Sequence, residues 1–341
     1  MKNSLFAIAF LFLPFLLGAQ KDSLSKNYTL GGEYFMLYRV TDNSNEFSLK
    51  RAYLNFNVYP TGKLRIRFTP DVVQTNDGLA LRMKYAYVMW KPGDFKFFKN
   101  MFVQAGISNR TWLSFEEQLN PYRVLGYMYL EKINVVNSAD LGVRIGSSLG
   151  KKPEGNYRYK GGTYGDWTIG IYNGGGYASR ENNKNKVVEG RLTLRPMGEN
   201  FPNLLITTAG LYGKTSVSLL PVEASDFWYA STMLSYDSKA FVLSTQLIKG
   251  AGGYNEANYI LSVPMPPIGY RGASVFYDLN LKNIHQFARF DYTEFENNSV
   301  SKILYLGGGY ELSEIFFFVF GWEKDFSLNT NLYQIGARIN F

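Results

Sequence analysis

From residue 28 to the end of the chain, apolar and polar side chains alternate in short runs rather than recurring every three or four positions. A period of two puts successive side chains on opposite faces of a β-strand. In residues 63–69, Leu64, Ile66 and Phe68 share one parity, while Lys63, Arg65 and Arg67 share the other. In 79–89, Leu81, Met83, Tyr85 and Tyr87 stand against Arg82 and Lys84; in 186–195, Val188, Leu192 and Leu194 stand against Glu189, Arg191 and Arg195. Arg51, Arg144, Arg289 and Arg338 fall on the polar parity of their runs, whereas the run around Arg271 alternates poorly. The pattern predicts strands at 28–40, 47–59, 63–75, 79–90, 101–108, 140–149, 157–172, 186–195, 204–215, 226–236, 241–249, 269–279, 285–295, 303–311, 315–322 and 332–341.

The connections alternate too. Short turns are expected at 60–62, 237–239, 280–284 and 312–314, and the intervening connections include the longest, 109–139, 173–185 and 250–268. Short turns on one side, long loops on the other and an even strand number are the marks of a transmembrane antiparallel β-barrel with both termini on the periplasmic side. The expected fold is therefore all-β: a closed barrel of about 16 strands, with neither a second domain nor a tandem repeat.

Both ends of the chain agree with this reading. Tyr333, Ile335, Ala337, Ile339 and Phe341 alternate with Gln334, Gly336, Arg338 and Asn340. An alternating last strand ending on an aromatic resembles the sorting signal of bacterial outer-membrane barrels, and implies handling by the barrel assembly machinery through Phe341. At the other end, Lys2, an apolar run over 5–17 and the small pair Gly18-Ala19 form a secretion signal. That run falls short of the roughly 20 residues that span a bilayer as a helix. Cleavage is expected after Ala19, leaving 20–341 as the barrel domain.

Composition narrows the choice. The chain has no cysteine, which removes disulfide scaffolds and thiolate metal sites. Its 26 Tyr, 26 Phe and 5 Trp make it 17% aromatic, suited to girdles at the two membrane interfaces. Mean hydropathy is only -0.17, as expected when half of each strand faces lipid and half faces water. The 33 Gly against 12 Pro suit many strands joined by turns.

Charge then acquires a direction. An Arg or Lys on the lipid face near the midplane costs about 2–4 kcal/mol, so the polar parity belongs to the lumen. Candidate lumen cations are Arg51, Arg65, Arg67, Arg82, Lys84, Arg144, Arg191, Arg195, Arg289 and Arg338, against the acids Glu33, Glu189 and Asp291. The formal charge of +8 falls by one when Lys2 leaves with the signal. A wall lined by Arg and Lys favours anions; the alternative is that these groups solvate the wall and pair with acids.

The connection 109–139 is long enough to be functional, and its aromatics suggest a folded loop. Folded inward as the third external loop, it would narrow the lumen and place Arg110, Arg123 or Lys132 beside a solute path; folded outward, it would cap the rim. The adjacent Glu116 and Glu117 diverge in direction and suit a solvated face or salt bridge better than an acid pair.

Two segments resemble one known family. Phe47-Ser48-Leu49-Lys50-Arg51-Ala52-Tyr53-Leu54 is similar to an early F-x-L-(K/R)-R-A strand of the phosphate-selective porin O and P family, and Phe115-Glu116-Glu117-Gln118-Leu119-Asn120-Pro121-Tyr122-Arg123 resembles the third-loop region of its Bacteroidetes-type members. With the signal peptide and Phe341, the likeness loosely spans the mature chain. It implies a 16-stranded, usually trimeric anion channel of the outer membrane. The family's arginine ladder and lysine cluster do not map position by position, so phosphate specificity is not carried over.

Other chemistries fit poorly. Gly146-Ser147-Ser148-Leu149-Gly150 matches G-x-S-x-G, but it lacks the strand–turn–helix context, and His285, the only histidine, lies about seven strands away on this topology. Gly213-Lys214-Thr215 lacks the earlier glycine of a phosphate-binding loop, since Thr208 stands there. One histidine and no cysteine leave few metal ligands, and the dispersed basic residues (pI 9.2) lack a nucleic-acid motif. The expectation is a passive, anion-preferring channel for small hydrophilic solutes, phosphate among them, embedded in outer-membrane lipid. It needs no cofactor or metal, has no enzymatic role and is a candidate homotrimer. The rivals are a structural or adhesive barrel plugged by its loops and, a weaker alternative, an outer-membrane hydrolase.

Overall fold

The computed structural model describes residues 27–75, 77–178, 184–214, 226–254, 259–260, 263–264 and 267–341. The expected signal, 1–19, lies outside them. The strands are β1 (Tyr28–Thr41), β2 (Asn45–Thr61), β3 (Leu64–Thr75), β4 (Gly78–Trp90), β5 (Phe98–Asn109), β6 (Ala139–Leu149), β7 (Gly165–Tyr172), β8 (Val187–Leu194), β9 (Leu204–Lys214), β10 (Asp226–Asp237), β11 (Phe241–Ala251), β14 (Gly269–Leu281), β15 (Ile284–Phe295), β16 (Val300–Glu311), β17 (Phe316–Asp325) and β18 (Thr330–Asn340), while β12 (Tyr259–Ile260) and β13 (Val263–Pro264) form a small separate ribbon. The sixteen long strands pair antiparallel with their sequence neighbours, and β1 closes on β18. Closure leaves no edge with unpaired backbone groups, the condition for a sheet to stand in lipid.

Alternation along each strand sorts the two faces. In β10, Phe227, Tyr229, Ser231, Met233, Ser235 and Asp237 are buried toward the lumen, while Trp228 and Leu234 are exposed on the outer wall. The seam is completed past the last strand by Gly32 N–H donating to the Phe341 carbonyl (2.7 Å) and Phe341 N–H to that of Gly32 (3.1 Å).

Each predicted strand corresponds to a barrel strand, with two corrections. The run 157–172 contributes only Gly165–Tyr172 to β7. Residues 157–164 instead turn inward: Arg158 and Tyr159 N–H donate to the Asp237 carboxylate (3.1 and 2.9 Å), and the Tyr159 ring is buried. Its aromatics imitate strand alternation because burial, not pairing, set the pattern. Second, Tyr85 and Tyr87 face the lumen with Arg82 and Lys84. Thr69 pairs with Tyr85 but Pro70 with Met83, so Lys84 is the extra residue of a bulge, and parity flips there.

The barrel's hydrophobic core lies inside it. The connection between β5 and β6, residues 110–138, folds into the lumen as α1 (Leu113–Leu119), a 3-10 turn (Tyr122–Val124) and α2 (Tyr129–Lys132). Trp112, Leu113, Phe115, Met128, Tyr129 and Leu130 are buried with inward residues such as Phe227, Phe276, Phe287 and Phe317. Tyr122 stacks on Phe287 with ring centroids 3.9 Å apart. Gly272 makes room at one point: a Cβ there would lie 2.1 Å from the Tyr129 hydroxyl, which donates to the Tyr292 carbonyl (2.7 Å). Of the two placements left open for this loop, the inward one is found, and the inturned segment 157–164 joins it from the opposite end, Lys160 N–H donating to Gln118 (2.9 Å).

Candidate functional site in the barrel lumen

The loop's apolar side chains cluster with inward residues of β9 to β17, and a more polar space lies toward β1–β4. On the loop-bearing side lies a cavity of about 710 Å³, lined by Arg39, Lys50, Arg51, Arg82, Arg123 and Lys132 among others, with Glu46, Glu131 and Glu323 as its acids. Tyr177 and Tyr254 also line it.

The loop presents Glu117, Arg123 and Glu131 to this space. Arg123 bridges Glu117 (2.7 Å) and Glu131, and Lys132 reaches Glu323 of β17 (2.6 Å). Burial opposes ionisation of Glu131, but the charge and hydrogen bonds of Arg123 outweigh it and hold the carboxyl below its usual range. On the facing wall, Asp71 accepts from Arg51 (2.7 Å) and Arg82 (3.1 Å), and Arg82 lies over the Tyr177 ring at 5.4 Å.

Toward the short-turn side, Arg65 and Arg67 are placed differently. Arg65 donates through Nε and Nη2 to the Asn57 amide oxygen (3.0 and 2.7 Å) and lies over Tyr87. Arg67 donates to Thr69 (2.9 Å) and Asn55 (2.6 Å) and lies 4.6 Å from the Tyr85 ring centroid. Both are partly exposed, and neither has an acidic partner among the described residues. Neutral amides fix their direction, and the lumen acid Glu33 acts on Arg67 without forming an ion pair with it.

Most other predicted cations are spoken for. Arg144 is buried against Gln104 (2.6 Å), Arg191 pairs with Asp166 (2.6 Å), and Arg289 pairs with Asp291 (3.0 Å) and donates to the Tyr127 carbonyl (2.9 Å). Arg338 reaches the Pro121 carbonyl of the loop (3.3 Å), and Lys84 is buried against Ser138. Arg195 lies beyond β8, buried and donating to the Pro202 and Tyr159 carbonyls, so it ties the short-turn end together. Arg110, expected beside a solute path, is 1% exposed and anchors the loop, bonded to Asp140 (3.0 Å) and Glu189 (2.7 Å). Glu189 also accepts from Trp112 N–H (3.2 Å) and Tyr229 (2.8 Å).

Sequence reading named too few lumen acids. Asp71, Asp140, Asp166, Asp237 and Asp278 all face inward, each sharing parity with inward residues of its strand, so the signal was present. They neutralise much of the apparent basic excess. Ser147 of the G-x-S-x-G match lies on β6 and donates to backbone carbonyls of Lys99 and Ser148, while His285 lies on β15.

A closed antiparallel barrel of sixteen strands with its third loop folded into the lumen is the fold of outer-membrane porins. Solved structures with this architecture include the anion-selective porin from Comamonas acidovorans (13% identity, TM-score 0.62, covering 92% of this chain and 99% of that one). A loop L8 deletion mutant of OmpT, an outer membrane protein of Vibrio cholerae, is alike to the same degree (13%, 0.62, 92% and 99%). OmpF of Salmonella typhi in complex with daunomycin follows (9%, 0.61, 92% and 98%). No protein-family profile and no curated protein sequence matches the chain. The likeness is therefore one of fold.

Proposed function

We propose that the chain is an integral outer-membrane protein, exported by its N-terminal signal, that forms a passive channel for small hydrophilic solutes with a preference for anions. Arg65 and Arg67 carry this reading: with Arg338, which is tied to the loop through the Pro121 carbonyl, they are the candidate wall cations that are partly exposed and make no ion pair among the described residues, and they alone of the three are held by neutral amides. A fixed uncompensated charge in a narrow, low-dielectric passage favours counter-ions. Phosphate is one candidate among small oxyanions, and no energy coupling is invoked. A homotrimer is part of the proposal; an in-vitro folded Vibrio cholerae OmpT structure is described as a trimer form.

The mature protein, folded in detergent and inserted in a planar bilayer under a KCl gradient, should give stable conductance steps with an anion-side reversal potential. Arg65→Gln with Arg67→Gln should move that potential toward zero with step size largely kept. A cation-side potential, or a double variant that leaves selectivity unchanged, would overturn the charge assignment. A second reading rests on the hydrophobic filling of the lumen by the loop and by 157–164: a barrel that conducts nothing and serves a structural or adhesive role. Folded, inserted protein without conductance would select it.

A further inference from the structure

Among the described residues, outward-facing charges occur at the Lys214–Asp226 pair and at Lys324, and one further group of them is predominantly cationic. Near the loop-bearing ends of β11, β14, β15 and β16, the outward positions are Lys249, Arg271, Tyr292, Glu294 and Lys302. Lys249 and Arg271 are direct cross-strand partners, a like-charge pair that disfavours the sheet. Arg271 is 76% exposed and bonds Glu294 at 2.6 Å. Lys302 lies opposite Tyr292 with its ammonium 5.7 Å from the ring centroid. Three cations thus share one carboxylate, and among the described residues neither lysine has an acidic partner. Toward the membrane centre the same strands turn largely apolar outward, with Leu247, Val275 and Phe290 exposed and Thr245 the polar residue among them.

A cationic cluster above an apolar wall matches one amphiphile: a phosphate head with acyl chains below it. Long basic side chains at the interface reach the headgroup layer while their stems lie on the apolar wall, and basic clusters at that depth recognise anionic lipid heads. We infer that Lys249, Arg271 and Lys302 form an external binding site for an anionic, phosphate-bearing lipid of the outer leaflet. The phosphate would sit between Lys249 and Arg271 and relieve their mutual repulsion, Glu294 would fix the Arg271 guanidinium, and the acyl chains would lie along Leu247, Val275 and Phe290. The inference rests on the barrel standing in the membrane with its long loops outward, but not on what passes through the lumen.

The test is native mass spectrometry of the detergent-folded full barrel titrated with lipid A, dephosphorylated lipid A and inorganic phosphate. Two net positive charges at the interface predict roughly thirty-fold tighter binding of the phosphorylated lipid. Lys249→Gln with Lys302→Gln should remove that preference, whereas Lys249→Arg should keep it. Equal binding of the two lipids, or a preference that survives the double variant, overturns the inference. Displacement of the lipid by equimolar inorganic phosphate would overturn the lipid assignment in favour of a free-anion site. Heat-dependent gel mobility of the same preparation checks folding: folded protein with no lipid preference sinks this inference alone, whereas folded, inserted wild-type protein without bilayer conductance strikes the channel reading instead.

Discussion

Replacing Arg110 with alanine strips two buried carboxylates, Asp140 and Glu189, of their shared cation. Both acids and the arginine are essentially inaccessible to solvent, so water cannot substitute. Removing one partner of a buried ion pair costs about 3–5 kcal/mol. The barrel itself should survive, because its strand ladder does not pass through Arg110. The loss falls instead on docking of the 110–138 loop. Burying its six largest core side chains contributes on the order of 10 kcal/mol before ordering entropy is subtracted. Net docking is thus a few kcal/mol, and losing 3–5 of them raises the undocked population by about a hundred-fold or more. Limited trypsin digestion reports this directly, since Arg123 and Lys132 are cleavable only when the loop leaves the lumen. Cleavage at these sites should accelerate by that factor while the barrel keeps its heat-dependent gel mobility. Asp140→Asn with Glu189→Gln in the Arg110→Met background should restore much of the protection. An Arg110→Ala protein digested at the wild-type rate would refute the anchoring argument.

Three further outcomes are expected. Burial pushes the Glu116 carboxyl up to about 7, against the opposing charge of Arg289 and the Trp112 hydrogen bond (2.8 Å), whereas an undocked loop would ionise it near 4.5. The docked state thus binds the proton more tightly, so the Glu116 contribution to docking is full below pH 4.5 and falls by about 3 kcal/mol as pH rises to 7; Glu116→Gln should remove that fall in tryptic protection across the window, and a wild-type profile without it would contradict the assignment. Gly336→Val would put a Cβ 2.0 Å from the Met36 carbonyl at the β1–β18 seam and should cost about 3 kcal/mol or more in urea unfolding, whereas Gly190→Ala, whose nearest neighbour is 3.9 Å away, should be near neutral. Deleting Phe341 removes two backbone hydrogen bonds, about 1–3 kcal/mol in vitro; if the residue also serves as an assembly signal, the yield of folded barrel in cells should fall far more than in-vitro refolding does.

Strand number, strand order and the inward direction of most charges were legible because a closed antiparallel barrel of neighbouring strands leaves one topology for a given alternation. Most lumen-facing positions are read from parity alone, which also held the overlooked Asp71 and Asp278. Parity failed at Tyr85 and Tyr87, where one bulge residue, Lys84, exchanges the two faces. It failed again at 157–164, where aromatic alternation reflects packing in the lumen rather than pairing in the sheet. The tertiary structure alone decided which cations keep an uncompensated charge. Arg65, Arg67 and Arg191 look equivalent along their strands and Arg110 was expected beside a solute path, yet Glu189 neutralises Arg110 from 79 positions away and Asp166 neutralises Arg191 from 25, while amides hold Arg65 and Arg67. Alternation along a strand fixes which face a side chain takes; its partner across the lumen depends on how the loop and the distant strands pack, and the chain's periodicity carries no record of that.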